Sequence, residues 1–173
     1  MSNVSIWNFS KGGRKAKDLL DLIDKNQLSH LKKPYTLILI CLGGNDFLSG
    51  KPPRLVGEDA VKVAEERIIP AMRYFRDTPG WLASDGTVRF LLPPPRADPL
   101  YKFYSNALHN RLRQQSELKS QIGKISKWYT GDGSPAARIL NPNDRSQVHL
   151  SDDGYFFLNN YLIGLIAGGG RRT

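Results

Sequence analysis

Two short segments far apart in the chain carry residue types suited to acyl transfer. Leu42-Gly43-Gly44-Asn45-Asp46 closes an apolar run, and His149-Leu150-Ser151-Asp152-Asp153-Gly154 opens the last helical pattern. Ester hydrolysis needs a nucleophile, a base to activate it, and donors aimed at the developing oxyanion. His149 can serve as the base and the Asn45 amide as a donor. The nucleophile is harder to place. Ser10 is the candidate, set against a plainer role in which its hydroxyl satisfies backbone groups of the glycine turn that follows.

The elements that must position these residues read as alternating strands and helices. Val4 to Phe9 is strand-prone, Ser10 to Gly13 makes a turn, and Arg14 to about His30 repeats Ala16, Leu19, Leu20 and Ile23 on one helical side. Tyr35 to Leu42 is continuously apolar, the pattern of a central parallel strand covered on both faces, which would bury Cys41 with it. After a Pro/Gly-rich loop over Ser49 to Gly57, a helix is expected from about Glu58 to Phe75, with a kink or break at Pro70. Asp77 to Gly86 is turn-rich, and the strand Thr87 to Leu92 stops at Pro93-Pro94-Pro95. A long helix from about Pro99 to Leu118, a short strand within Ile122 to Tyr129, and an irregular stretch over Gly131 to Val148 complete the approach to a closing helix, Ser151 to Ile166, with Ser151 as its N-cap.

This alternation predicts an α/β fold, a three-layer sandwich with a mainly parallel sheet. Sites in such sheets lie beyond the carboxyl ends of the strands. The loops Ser10 to Gly13, Gly43 to Asp46 and Pro93 to Arg96 all follow expected strands, so they should converge on one edge.

From Val4 onward, most of the chain resembles the SGNH (GDSL-like) hydrolases. Asn8 to Leu20 resembles the second sequence block of that superfamily, Gly44-Asn45-Asp46 the third, and His149 with the apolar helix behind it the fifth. Leu91 to Arg96 is similar to the Pro and Arg stretch at a strand end. The resemblance implies an oxyanion hole from the Gly12 or Gly13 backbone N–H together with Asn45, and His149 as general base. Asp46, Arg96 and Ser146 would then line or support the pocket. Members usually place the catalytic Asp three residues before the His; Ser146 stands there, and Asp144 would reach His149 only through a bulged loop. The first block, a strand ending Gly-Asp-Ser with the nucleophile, has no counterpart. Reading Asn8-Phe9-Ser10 as its remnant leaves too few residues before Gly43 for the usual intervening strand. The resemblance therefore implies an SGNH-type sheet that lacks or replaces its first strand, with a rearranged sheet or a strand supplied by a protein partner at the exposed edge. The leading functional expectation is a degenerate SGNH-type module without autonomous catalysis that acts in binding or structure. The alternatives are an active esterase or acetylesterase, and a basic structural component of a nucleic-acid-containing assembly.

Size and composition set the frame for these readings. The 173 residues suit one domain over 1–173, with a short flexible tail expected at 168–173. A single cysteine excludes an internal disulfide, and three scattered histidines (His30, His109 and His149) give no metal-ligand spacing, so no metal or cofactor is expected. No leader-type segment is visible at the start and no apolar stretch is long enough to span a bilayer, which makes a cytoplasmic location the default expectation. The formal net charge of +9 favours acidic partners, nucleic acid among them, and Lys11, Arg14, Lys15 and Lys17 form a candidate anion-binding cluster. Gly12-Gly13-Arg14-Lys15 lacks the spacing of a phosphate-binding loop, and no nucleic-acid recognition motif is present.

Overall fold

The apolar run at Tyr35 becomes the first strand of a parallel sheet in a computed structural model that describes residues 5–47, 56–125, 128, 138–144 and 149–167. Strand β1 is Tyr35–Ile40, β2 is Leu82–Leu91 and β3 is Ile122–Gly123. Their order is β1-β2-β3, all parallel, with Ile38 opposite Val88, Ile40 opposite Phe90 and Phe90 opposite Ile122. The helices are α1 (Ala16–Asp24), α2 (Gly44–Phe47), α3 (Val56–Val63), α4 (Ile69–Asp77), α5 (Pro99–Arg113) and α6 (Asp152–Ala167).

Side-chain alternation along the strands assigns the helices to layers. Ile38, Ile40, Val88 and Phe90 pack with Ala16, Leu19 and Ile23 of α1, with Ile68, Met72 and Phe75, and with Tyr104, Leu108 and Leu112 of α5. Leu39 and Leu91 point the other way, into a smaller cluster with Trp128, Ile139 and Phe157, Leu158 and Tyr161 of α6. The result is the three-layer α/β sandwich expected from the alternation. Val88, Phe90, Met72, Leu108 and Leu112 are fully buried, and each large apolar side chain removed from water stabilises the fold by roughly 1.5–3 kcal/mol.

Several elements depart from the sequence reading for identifiable reasons. Residues 5–9 form no strand, and Ile6, Trp7 and Phe9 are exposed. A strand requires a ladder partner, and among the described residues this segment has none. Helix α1 ends at Asp24 rather than near His30, because Asn26 adopts a left-handed conformation (φ 52°). Strand β1 is not covered on both faces: Ile40 alone is buried, and Cys41 is exposed rather than buried. The helix through Pro70 neither stops nor breaks. A π-helical turn at Ala64–Ile68 precedes α4, and Pro70 falls in the first turn of α4, where its missing N–H costs little. Strand β2 starts five residues before Thr87, taking in Leu82 to Gly86, which had read as turns. Helix α5 ends at Arg113, before Leu118, and β3 keeps two residues of its expected span.

Candidate acyl-transfer site

The glycine pair shapes the exit of β1. Gly43 has φ +100°, a conformation that strains any side-chain-bearing residue. Its carbonyl accepts a 2.7 Å hydrogen bond from the buried Tyr104 hydroxyl. Burial, reinforced by the nearby Asp46 carboxylate, pushes the Tyr104 phenol well above its usual range, so it remains a donor. At Gly44 a Cβ would stand 3.1 Å from Arg96 Nη2 and 3.2 Å from Pro93 Cβ. The absence of a side chain there lets the Pro93–Arg96 loop close over α2.

That approach fixes Asn45. Arg96 Nη2 donates to Asn45 Oδ1 at 2.9 Å, and Asn45 Nδ2 donates to the Arg14 carbonyl at 3.0 Å. A guanidinium only donates and a carbonyl only accepts, so this pair of contacts determines which way the amide faces. The nitrogen carries a second hydrogen that can serve a ligand oxygen. These bonds also join the three loops that were expected to converge: the Arg14 end of the glycine turn, Gly43 to Asp46, and Pro93 to Arg96.

Asp46 turns inward and is more than a pocket residue. Its side chain is fully buried, accepts the Ala16 N–H at 2.9 Å, and pairs with Arg67 Nη1 at 2.5 Å. The carboxylate thereby satisfies an N-terminal N–H of α1 and complements the positive end of that helix. It anchors the helix that follows Gly12 and Gly13. Both glycines lie in an exposed turn with open space around them, and Gly13 has φ +77°.

The candidate base, His149, is positioned by a separate loop closure. Leu140 bridges Leu150 in antiparallel fashion, Asn141 N–H donates to the His149 carbonyl at 2.9 Å, and Ser151 N–H donates to the Ile139 carbonyl at 2.8 Å. An Asx turn at Asn141 follows: Asn143 N–H donates to Asn141 Oδ1, and Asp144 N–H to the Asn141 carbonyl. Asp144 Oδ2 then lies 2.9 Å from His149 Nδ1 and also accepts the His149 backbone N–H at 3.0 Å. Asp144 is 14% exposed and the imidazole 70%. A carboxylate on Nδ1 holds the proton there and presents Nε2 as the basic nitrogen. At the start of α6, Ser151 Oγ accepts the Gly154 N–H at 3.2 Å, acting as the expected cap.

The remaining sequence candidates are not drawn into this arrangement. Ser10 is exposed, and its hydroxyl donates to Asn8 Oδ1 at 2.6 Å instead of the imidazole. Ser146 and the tail at 168–173 lie outside the described residues. In the basic cluster, Lys17 is paired with Asp21 at 2.6 Å, and Lys11 and Arg14 border a shallow open groove shared with Asp18 and Asp21. Sequence reasoning missed Arg67 and Tyr104, which reach the site from 21 and 61 residues away along the chain. No local signal marked either one, since Arg67 stands among other charged residues of its helix.

No family model matches the sequence, and no curated protein does. Solved structures do. A G-D-S-L family protein assigned as lipolytic, from Desulfitobacterium hafniense DCB-2, superposes with a TM-score of 0.55 at 15% identity, over 87% of this chain and 74% of its own. The fold is that of the SGNH-like hydrolases. A second structure, assigned as a platelet activating factor from Streptococcus pneumoniae, superposes on this chain with a TM-score of 0.54 at 19% identity, over 87% of this chain and 69% of its own.

Proposed function

We propose that this chain is an SGNH-type hydrolase-like module that keeps the base and oxyanion side of an ester-hydrolysing site and does not complete catalysis alone. Its role on this reading is binding or structural. The observation that carries the proposal is the contrast between two hydroxyl and imidazole environments. His149 is oriented by Asp144, as a general base requires, whereas the Ser10 hydroxyl is committed to Asn8 in an exposed segment. Asn45, held by Arg96 and Arg14, would donate to an oxyanion if an acyl group were delivered to it.

The Asp144–His149 pair also favours a second reading, an active esterase in which Ser10 attacks, His149 takes its proton, and Asn45 with Gly12 or Gly13 stabilises the tetrahedral oxyanion. A nucleic-acid-binding role has less support, because Asp18 and Asp21 interrupt the basic cluster. Hydrolysis of p-nitrophenyl acetate by the purified chain separates the first two readings. The module reading expects a rate indistinguishable from that of His149→Ala. The esterase reading expects a turnover that falls by about 100-fold or more in His149→Ala and in Ser10→Ala.

A further inference from the structure

β1 has one strand neighbour among the described residues, β2, so its opposite edge presents ladder N–H and C=O groups with no described partner. The side chains agree with that edge being open. Ile38 faces the α1 layer and Leu39 the α6 layer, yet both are only half-buried, and Thr36 is exposed. Cys41, the residue after β1, is exposed.

The layers on the two faces of the sheet are incompletely covered as well. From Tyr155 to Ala167, α6 carries no charged residue, although Gly154 is its one buried position. Its sheet-facing Phe157, Leu158 and Tyr161 are only half-covered, and Phe156 and Ile163 are about 60% exposed. An evenly apolar helix belongs in an interior. On the opposite face, Leu20 and Leu22 of α1 are half-buried as well. Natural edge strands are guarded by charges, Pro or bulges; β1 has a register irregularity between Tyr35 and Leu37, and beyond it, from Leu37 to Leu42, neither charge nor Pro.

We propose that the free edge of β1, between α1 and α6, is a slot for an extended apolar strand with acidic flanks, donated by another polypeptide. An extended backbone alone satisfies a ladder edge, which excludes a helix. Helices on both faces require the guest to be apolar on both faces, and the six residues of β1 set a core of about six residues, roughly 20 Å. The net charge of +9 disfavours a second copy and favours acidic flanks. The chain's own residues 5–9 are held elsewhere, with Trp7 under Lys33 Nζ at 3.4 Å. This inference does not depend on the catalytic reading, since it uses none of Asn45, Asp144 or His149.

The test uses the full chain and the capped peptide Asp-Glu-Val-Ile-Val-Ile-Thr-Val-Glu-Asp, with a control peptide N-methylated at alternate amides along one edge. Hydrogen exchange at residues 37–41 and iodoacetamide alkylation of Cys41 are followed together. The unmodified peptide should slow both, alkylation by about tenfold at saturation, and the N-methylated peptide should slow neither. Phe156→Lys and Ile163→Lys, both at exposed positions, should weaken binding by about tenfold. Absence of binding, equal binding of the two peptides, edge amides already protected without peptide, or a dimer that shields Cys41 would each overturn the proposal.

Discussion

Asn45 shows how much of a site depends on residues that never meet a substrate. Its amide is aimed by one donor-only partner, Arg96, and one acceptor-only partner, the Arg14 carbonyl, so its orientation is a property of three loops. Asp46 beside it does structural work, joining α1 to α2 through Ala16 N–H and Arg67. Replacing Asp46 with Ala would strand a guanidinium and a helix N-terminus. The expected loss is about 3 kcal/mol, near the lower end for a buried pair because Arg67 keeps some solvent contact. Urea denaturation of Asp46→Ala against the parent measures it, and a loss below about 1 kcal/mol would contradict the anchoring role. Asn45, Asp46, Arg96 and His149 were legible from short motifs, because residue type and strand-end position are written locally. The partners Arg67 and Tyr104 were not. Each sits inside a helical repeat whose pattern records a face and not the distant atom it meets.

At the scale of elements, the longer helices, β1 and the second half of β2 were readable from apolar patterning, while the short helix α2, the first half of β2 and the cover of β1 were not. Ser5-Ile6-Trp7-Asn8-Phe9 has strand-like composition, but a strand is a pairing relation and the segment has no described partner. The same cause explains Cys41: a continuous apolar run predicts cover on both faces, and the sequence of β1 cannot record that it has a strand partner on one side only among the described residues. Helix α5 carries a separate consequence. His109 is half-buried, and burial, aided by the charges of Lys124 and Arg113, lowers its pKa from the ordinary 6.5. The folded chain therefore binds this proton less readily than the unfolded chain. Stability from His109 is fully present above pH 6.5 and is lost as pH falls through its lowered folded value. Denaturation midpoints between pH 7 and 5 should decline less steeply in His109→Gln than in the parent, and parallel declines would remove His109 as a contributor.

For the molecule as a whole, the parts of an acyl-transfer site and the opening in the sheet describe one condition. The SGNH-like frame is present: a parallel sheet, an oriented amide at the end of β1, and an Asp–His pair at the entry to α6. Ser10 is not drawn in, and among the described residues the edge of β1 away from β2 has no strand partner. Among the described residues no helix is long and apolar enough to cross a membrane. The central claim is that this chain carries a poised base without an activated serine. Intact-mass analysis after treatment with a serine-directed fluorophosphonate tests it most directly, with the unfolded chain as control. The expected result is no stable adduct on the folded protein. A single adduct, mapped to one serine and lost in His149→Ala, would contradict the account and identify the chain as an autonomous serine hydrolase.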